Sequence, residues 1–408
     1  MVNVPKNSAT ELLIKLLTVL VVIVIIIALI FVVRLLYPAQ SPTPPSTIYA
    51  TSSVPNPATS SIPNTSTISP PSPTIVITNS QPLQTSSPFQ QIVTFNPSAY
   101  SAYEATDLGN IRFYQGSTEL YSWCESGCSS SSTDAVFWLK LPEGINAYSS
   151  VQVNVLFGPK YEEYDGIYAG EAPQLSSIYG QYDNGANVFL IYFNGDASPS
   201  LFTTSGGDTV TQTTATFGAK TINVLRYTLG CCEEVPSALI YVGGDIPNQY
   251  VTAESSFQSD GRATDIGVIG LGQNSGPGLS DNLINTMTQW GGPTPSITGD
   301  YFDQAYVSSG SRFAYLNAGG AATTDWRYAS VTYSNSTSFS GYIAPQLYKV
   351  SDGYYGVVNA NPIANVSSLY LLFYPNVGAS GHWVQFNWAR VRAYPPNGVM
   401  PSAILTTA

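Results

Sequence analysis

Charged residues and histidine are scarce in this chain of 408 residues. Only 10% of the residues are charged, and 14 Lys and Arg stand against 25 Asp and Glu, which gives a formal net charge of −11. A net negative chain has no long-range attraction for nucleic acid, so we expect no DNA or RNA partner. The single histidine, His382, excludes zinc or iron sites that need several histidines.

Recognisable catalytic motifs are lacking as well. The sequence contains no Gly-x-Ser-x-Gly elbow, no P-loop, no dinucleotide fingerprint and no Glu-x-Asp-x-Glu signature of jelly-roll glucanases. Its paired carboxylates, Glu162 with Glu163 and Glu233 with Glu234, are adjacent, so on a strand the two members point to opposite faces instead of across a cleft. We therefore expect no enzymatic activity and no catalytic cofactor.

One long hydrophobic run lies near the N-terminus. Residues 12–33 are almost continuously Leu, Val and Ile, and the only polar interruptions are Lys15 and Thr18. At about 1.5 Å per residue such a helix spans roughly 33 Å, which matches a bilayer core of about 30 Å. The run predicts a transmembrane signal anchor over residues 12–34 with the lipid bilayer as its partner, and an archaeal pilin leader is the alternative.

The charges around this run predict its orientation. Lys6 and Lys15 lie on its N-terminal side, Arg34 stands alone on the other side, and no charged residue follows until Glu104. The positive-inside rule then favours a cytoplasmic segment 1–11 and extracellular C-terminal domains, that is, a single-pass protein of the cell membrane.

A segment rich in proline, serine and threonine follows the hydrophobic run. Residues 38–74 contain 10 Pro and 16 Ser or Thr and no charge. Proline removes backbone donors and fixes φ, so neither a helix nor a sheet propagates there. We interpret residues 35–74 as a semi-rigid stalk, either glycosylated or a plain linker.

The remainder of the chain has the pattern of an all-β protein. Short β-branched and aromatic runs, for example residues 74–78, 136–139, 151–157, 188–193 and 369–374, alternate with turn residues. The best helical signal is residues 280–290, with Ser280 as the cap. About 330 residues exceed one comfortable sandwich, so we predict two β-sandwich or jelly-roll domains, at 75–197 and 198–400, and a tail at 401–408.

Two parts of this region resemble known families. Ile111-Arg112-Phe113, Trp123-Cys124-Glu125-Ser126 and the run 135–142 resemble an archaeal and bacterial surface-protein family named "domain of unknown function 2341", over residues 75–195. That resemblance implies a β-sandwich and brings no catalytic residues, because the family has no established activity. Residues 198–400 are similar, more weakly, to concanavalin-like lectin jelly rolls, mainly through the terminal strand 383–394.

Four cysteines, all in the predicted external part, are candidates for disulfides: Cys124, Cys128, Cys231 and Cys232. A local Cys124–Cys128 bond is slightly favoured. Cross-links between the two doublets and a zinc site made of all four cysteines are the alternatives.

Acidic turns are candidate calcium ligands, because Ca²⁺ prefers hard oxygen donors. The carboxylates in question are Asp260, Asp265, Asp300 and Asp303. Structural Ca²⁺ is therefore a candidate ligand of this protein. The alternative is that these carboxylates are simply exposed to solvent in turns.

Tyrosine clusters are candidates for sugar binding, since a flat ring stacks on the apolar face of a pyranose. The clusters comprise Tyr161, Tyr164, Tyr168, Tyr354 and Tyr355. Ordinary edge or core packing of these tyrosines is the alternative.

Three Asn-x-Ser/Thr sequons, at Asn64, Asn335 and Asn365, are candidate glycosylation sites.

The sequence thus predicts a membrane-anchored surface protein whose two β-sandwiches act in non-catalytic recognition or adhesion, of a glycan or of an envelope protein. A structural subunit of the cell envelope or of an appendage is the main alternative. A polysaccharide hydrolase with an unrecognised site is the third.

Overall fold

A computed structural model of the protein describes residues 71–204, 207–228, 230, 239–241, 246–247, 250–260, 266–272, 283–288, 302–306, 312–317, 326–336, 339–349, 355–357, 368–373, 381 and 383–406. Between residues 231 and 382 it describes side chains only at 250–258, 260, 326–328, 330, 332 and 381. The predicted anchor at 12–34 and almost all of the stalk lie outside the described residues. No helix within the described ranges is long and apolar enough to cross a membrane.

Strands dominate the described chain. Up to residue 230 they are β1 (Thr74–Asn79), β2 (Phe89–Phe95), β3 (Ile111–Gln115), β4 (Thr118–Glu119), β5 (Ser122–Ser126), β6 (Ala135–Leu141), β7 (Ser149–Phe157), β8 (Ala169–Glu171), β9 (Ile191–Asn194), β10 (Phe202–Thr203), β11 (Thr209–Phe217) and β12 (Lys220–Thr228). The later strands are β13 (Leu239–Tyr241), β14 (Ile246–Pro247), β15 (Val251–Ser259), β16 (Ile266–Gly272), β17 (Leu283–Thr288), β18 (Phe302–Tyr306), β19 (Arg312–Asn317), β20 (Arg327–Ser336), β21 (Phe339–Lys349), β22 (Tyr355–Val357), β23 (Ser368–Phe373), β24 (Trp383–Ala393) and β25 (Ser402–Thr406).

Helices are few and short among the described residues. One α-helical turn, α1, covers Gly185–Val188, and three 3-10 helices cover Pro97–Tyr100, Pro199–Leu201 and Pro396–Gly398. The all-β prediction is confirmed for the part of the chain that the structure describes.

A five-stranded sheet and a four-stranded sheet form the first sandwich. Their strand orders are β25-β1-β7-β3-β4 and β2-β6-β5-β8. Side chains with the two-residue period of a strand, such as Ile75 and Ile77 on β1 and Val153 and Val155 on β7, are buried. They share one hydrophobic core with residues of β2, β5 and β6, so the two sheets pack face to face.

An eight-stranded sheet packs on the other face of the four-stranded sheet. Its order is β11-β12-β24-β15-β20-β21-β22, and β9 also pairs with β24. Trp123 and Trp138 lie directly opposite each other on β5 and β6, and they share a second core with Trp388 of β24. A six-stranded sheet, β10-β13-β23-β16-β17 with β14 beside β23, follows, and its strand β16 lies next to β15, β20 and β24.

Strands cross the predicted domain boundary at residues 197/198. The β9 strand lies before the boundary, yet it pairs with β24 of the eight-stranded sheet. The predicted tail 401–408 is wrong, because residues 402–406 form β25 and pair with β1 at the start of the first sandwich. The chain from Ile68 to Ala408 is accordingly one compact unit.

Two local predictions also need correction. The helix predicted over residues 280–290 is wrong, because Leu283–Thr288 forms β17, which pairs with β16. The strand predicted over 188–193 starts later, since α1 extends to Val188 and β9 begins at Ile191. In both cases tertiary pairing overrides a weak local preference.

Candidate functional site

A network of charged groups is buried between the four-stranded and eight-stranded sheets. The Arg390 guanidinium donates to Glu254 at 2.6 Å and to Glu125 at 3.2 Å, and it lies 4.7 Å from the ring centres of both Trp138 and Trp388. Burial alone would raise the pKa of Glu254, but the guanidinium groups of Arg390 and Arg392 hold it at about 2. This network joins β24 and β15 to β5, so we assign it to the scaffold.

The Cys124–Cys128 disulfide fixes the end of β5. Its two Cα atoms are 6.2 Å apart, within the ordinary range for a disulfide. Both thiols are consumed by the bond, so the zinc site made of all four cysteines does not form. Cys231 and Cys232 lie outside the described residues.

Among the described residues, the stacked pair of Tyr121 and Tyr168 has the chemistry that is expected of a sugar-binding surface. The rings of Tyr121 and Tyr168 are nearly parallel, with an interplanar angle of 6° and centroids 4.8 Å apart. Tyr168 remains 38% exposed. Because Tyr121 stacks on one face of the Tyr168 ring, only the other face and the edge of that ring are available for a ligand.

Charged and amide groups lie beside this tyrosine stack. The Lys140 ammonium is 5.5 Å from the Tyr121 centroid and donates to the Asn187 carbonyl oxygen at 2.7 Å. Burial lowers the pKa of Lys140. Ile167, which is 56% exposed, extends the apolar surface next to Tyr168.

The loop that carries Tyr168 is held in place by side chains. An Asp165 carboxylate oxygen accepts hydrogen bonds from the backbone N–H groups of Ile167, at 2.7 Å, and Ala169, at 2.9 Å. The side-chain amides of Asn184 and Asn187 both donate to the Ile167 carbonyl, at 3.0 and 3.1 Å. The exposed ring is therefore preorganised, and a ligand would not have to order the loop.

The other tyrosines predicted in this segment play different parts. Tyr161 is 87% exposed and has no ring contact within the described residues. Tyr164 is buried, and its hydroxyl donates to the Asp107 carbonyl at 2.8 Å, so it belongs to the core. Of these three tyrosines, Tyr168 is the partly exposed one that stacks on a second ring, that of Tyr121. The position of Tyr121 opposite Tyr168 depends on tertiary packing that no sequence pattern showed.

Several predicted site residues cannot be placed in detail. Tyr354, Asp265, Asp300, Asn64 and Asn365 lie outside the described residues. Tyr355 on β22, Asp303 on β18 and Asn335 on β20 belong to described strands, but their side chains are not described. Among the four calcium candidates, only Asp260 has a described side chain. The described residues contain no group of three or more His, Cys, Asp or Glu that could hold a metal ion. Calcium binding and glycosylation stay predictions.

Sequence comparison relates the chain to a viral protein. The uncharacterized protein 562 of Sulfolobus islandicus rod-shaped virus 1 is 40% identical over 338 residues. The match covers 81% of this chain and 58% of the relative, so the chain spans little more than half of the relative's length. No protein-family model matches the chain, and the resemblance of residues 75–195 to the surface-protein family receives no support from this comparison.

Structure comparison returns lectins and one lyase at low similarity. Peanut lectin in complex with a 9mer peptide has a TM-score of 0.34 and 10% identity over 53% of this chain and 98% of the lectin. The exoplasmic/lumenal domain of VIP36, bound to Ca²⁺ and Man3GlcNAc, has a TM-score of 0.33 and 9% identity over 48% of this chain and 92% of that domain. The PL-14 alginate lyase of Aplysia kurodai has a TM-score of 0.31 and 11% identity, over 45% and 87% of the two chains. Scores this low carry no argument about function.

Proposed function

We propose that this chain is a non-catalytic recognition protein that binds a glycan through the stack of Tyr121 and Tyr168. The exposed ring of Tyr168, stacked on Tyr121 with an interplanar angle of 6°, is the observation that carries the proposal. Such a ring can pack on the apolar face of a pyranose, and the side-chain amide of Asn187, which donates to the carbonyl of Ile167, the residue before Tyr168, is a polar group beside the same loop.

Rigidity of the loop supports the same proposal. Binding normally costs about 0.5–1.5 kcal/mol for each mobile side chain that a ligand immobilises. Stacking on Tyr121 and the hydrogen bonds of Asp165, Asn184 and Asn187 hold Tyr168 before any ligand arrives. A small aromatic surface of this kind suits weak contacts repeated over many copies, as on a cell or particle surface.

The proposed location is the outside of a membrane, with residues 12–34 as the tether and residues 35–74 as the stalk. The hydrophobic run and its flanking charges support this location. The viral relative extends the proposal to a virus-encoded protein exposed on an infected cell or on a particle.

Two variants test the glycan site. We expect the full chain, solubilised in detergent, to bind a subset of glycans on an array, and Tyr168→Ala to lower the affinity for them about tenfold, because an aromatic contact contributes about 0.5–1.5 kcal/mol beyond its buried area. Tyr161→Ala is the matched control, since Tyr161 is more exposed and lies outside the stack. Equal losses in both variants, or spontaneous assembly into filaments without any glycan binding, would contradict the proposal.

Protease treatment of intact cells tests the location. We expect added protease to remove the domains that follow residue 74 and to leave a membrane-bound N-terminal fragment. Complete protection of the protein, or a mature product that begins after Tyr37, would contradict the proposed tether.

A further inference from the structure

A concave pocket lies beyond the C-terminal end of β8, apart from the tyrosine stack. Tyr168 precedes this strand, and the loop that follows it, together with the start of β12, forms an open pocket with a volume of about 170 Å³. Pro173 and Ile222 give it apolar walls, and Gln174, Ser177 and Thr221 give it polar ones. A mixture of apolar walls and a few polar groups is typical of small-molecule sites.

Gln174 presents an unused amide donor in this pocket. Its side chain is only 6% exposed, and its Oε1 accepts a hydrogen bond from Asn387 Nδ2 at 2.9 Å. Asn387 is itself fixed, because Tyr179 donates its hydroxyl to it. With the Oε1 atom engaged, the Nε2 group of Gln174 keeps two protons that no described residue accepts, and Gln174 lines the pocket. Because Gln174 lines the pocket, this Nε2 group can donate to a ligand oxygen in place of water.

Lys220 brings a positive charge to the same wall. Its ammonium donates to the backbone carbonyls of Leu175 at 2.6 Å, Gln174 at 3.1 Å and Ser176 at 3.3 Å. The last contact is the longest, so a ligand anion can compete for that proton. Two donor groups on one wall, one of them charged, favour an anionic oxygen ligand.

Glu171 is an acidic group that interacts with Lys220, and it is buried behind Ser176. Asp183 and Asp196 act on Tyr179, which also lines the pocket. The Ser176 hydroxyl donates to Glu171 at 2.6 Å. Burial raises the pKa of Glu171 to about 7, which the hydrogen bond from Ser176 and the charge of Lys220 partly oppose. Below pH 7 its carboxyl group is therefore mainly neutral, and the charge of Lys220 is not compensated there.

Two carboxylates from the neighbouring loops act on Glu171, and Glu171 in turn acts on two tyrosines. Asp107 and Asp183 raise its pKa further, and the hydroxyls of Tyr164 and Tyr182, whose own pKa values are raised, stay neutral over the same range. None of them adds a positive charge, so acidification strengthens the positive character of the pocket mainly through Glu171.

We propose that this pocket binds the carboxylate group of an acidic sugar residue, with Gln174 Nε2 and the Lys220 ammonium as donors and with Pro173 and Ile222 against the sugar ring. This inference rests on the proposed glycan recognition for its choice of a sugar. It makes the pocket a site for uronate residues, separate from the tyrosine stack, and it makes binding at the pocket favour acidic pH.

Titration with three small probes tests the inference on the full chain in detergent, by ligand-observed NMR at pH 5.5. We expect glucuronate to bind at least about tenfold more tightly than glucose, which lacks the charge, and than acetate, which lacks the ring. Lys220→Met should weaken glucuronate binding about tenfold, and Lys160→Met, the replacement of a lysine that donates to the Ser101 carbonyl elsewhere, should not. Equal binding of glucose or of acetate would overturn the assignment of an acidic sugar.

Further variants separate this site from the tyrosine stack. Tyr168→Ala should leave glucuronate binding unchanged, so loss of one activity with retention of the other shows which proposal fails. Gln174→Leu should weaken glucuronate binding as Lys220→Met does. If the Gln174 variant does not fold, the result for Lys220→Met decides the test.

Between pH 5.5 and 8.5 we expect a several-fold loss of affinity for glucuronate in the native chain and little loss in Glu171→Gln. A loss of the same size in both proteins would overturn the role given to Glu171.

Discussion

Replacement of Glu104 by glutamine is expected to stabilise the protein at neutral pH. Glu104 lies in the loop between the 3-10 helix Pro97–Tyr100 and β3, is only 1% exposed, and has no hydrogen-bond partner for either carboxylate oxygen within the described residues. Burial raises its pKa from 4.5 to about 8, and the charge of Lys160 only partly opposes that effect. An ionised carboxylate in this position would be a buried charge without a partner.

The sign and size of the effect follow from proton linkage. The folded state holds the proton of Glu104 up to about pH 8, whereas the unfolded chain releases it near pH 4.5. The stabilisation is therefore complete below pH 4.5 and is lost as the pH rises towards 8. At pH 7 the loss covers about 2.5 pH units at about 1.4 kcal/mol each, or about 3.5 kcal/mol. Glu104→Gln cannot ionise, so it should recover about 1–3 kcal/mol at pH 7 after allowance for its unpaired amide.

Chemical denaturation at pH 4, 7 and 9, followed by tryptophan fluorescence, measures this effect. We expect Glu104→Gln to unfold at higher denaturant concentration than the native chain at pH 7 and 9, and to differ little from it at pH 4. Glu143→Gln is the control, because Glu143 is exposed in the turn before β7. A Glu104→Gln variant that is destabilised at pH 9, or that keeps the native pH dependence, would refute the reasoning.

Three further predictions concern the scaffold. Glu254→Gln should lower the free energy of unfolding by about 3–5 kcal/mol at pH 7, because it leaves Arg390 and Arg392 without their shared carboxylate, and calorimetry should show a smaller penalty below pH 4. In the native chain, the pKa of about 2 for Glu254 and the raised values for Glu104 and Glu171 together predict greatest thermal stability near pH 4–5, with a decline on both sides; a maximum near pH 8 would contradict this. Replacement of both Cys124 and Cys128 by serine should cost about 2 kcal/mol, since the disulfide closes a short loop, and reductant should then have no further effect on the unfolding midpoint.

Local patterns in the sequence were sufficient for many strands and insufficient for their arrangement. The run 151–157 was correctly predicted as a strand, and its apolar residues Val153 and Val155 are buried, because one face of an isolated strand already shows the period of two. The helix predicted around residues 283–288 was wrong, because short segments with Leu, Ile and Met fit a helix and a strand about equally well. Only the pairing with β16 decides between the two structures.

The candidate sites show the same division. Tyr168 could be selected from the sequence as one of several tyrosines, but its difference from Tyr161 and Tyr164 depends on which neighbours the fold supplies. The pocket beside Gln174 and Lys220 had no signature, since the residues that orient it, Asn387 and Tyr179, lie about two hundred positions apart.

Composition and short-range periodicity by themselves determined the β-rich class, the hydrophobic run near the N-terminus and the uncharged Pro/Ser/Thr-rich composition of residues 38–74, because each depends only on residues near one another in the chain. Tertiary structure alone decided that β25 completes the first sandwich, that β9 joins the later sheet, and that Tyr121 lies under Tyr168. These contacts join distant residues, and their free energy appears only when whole sheets come together and bury a common core.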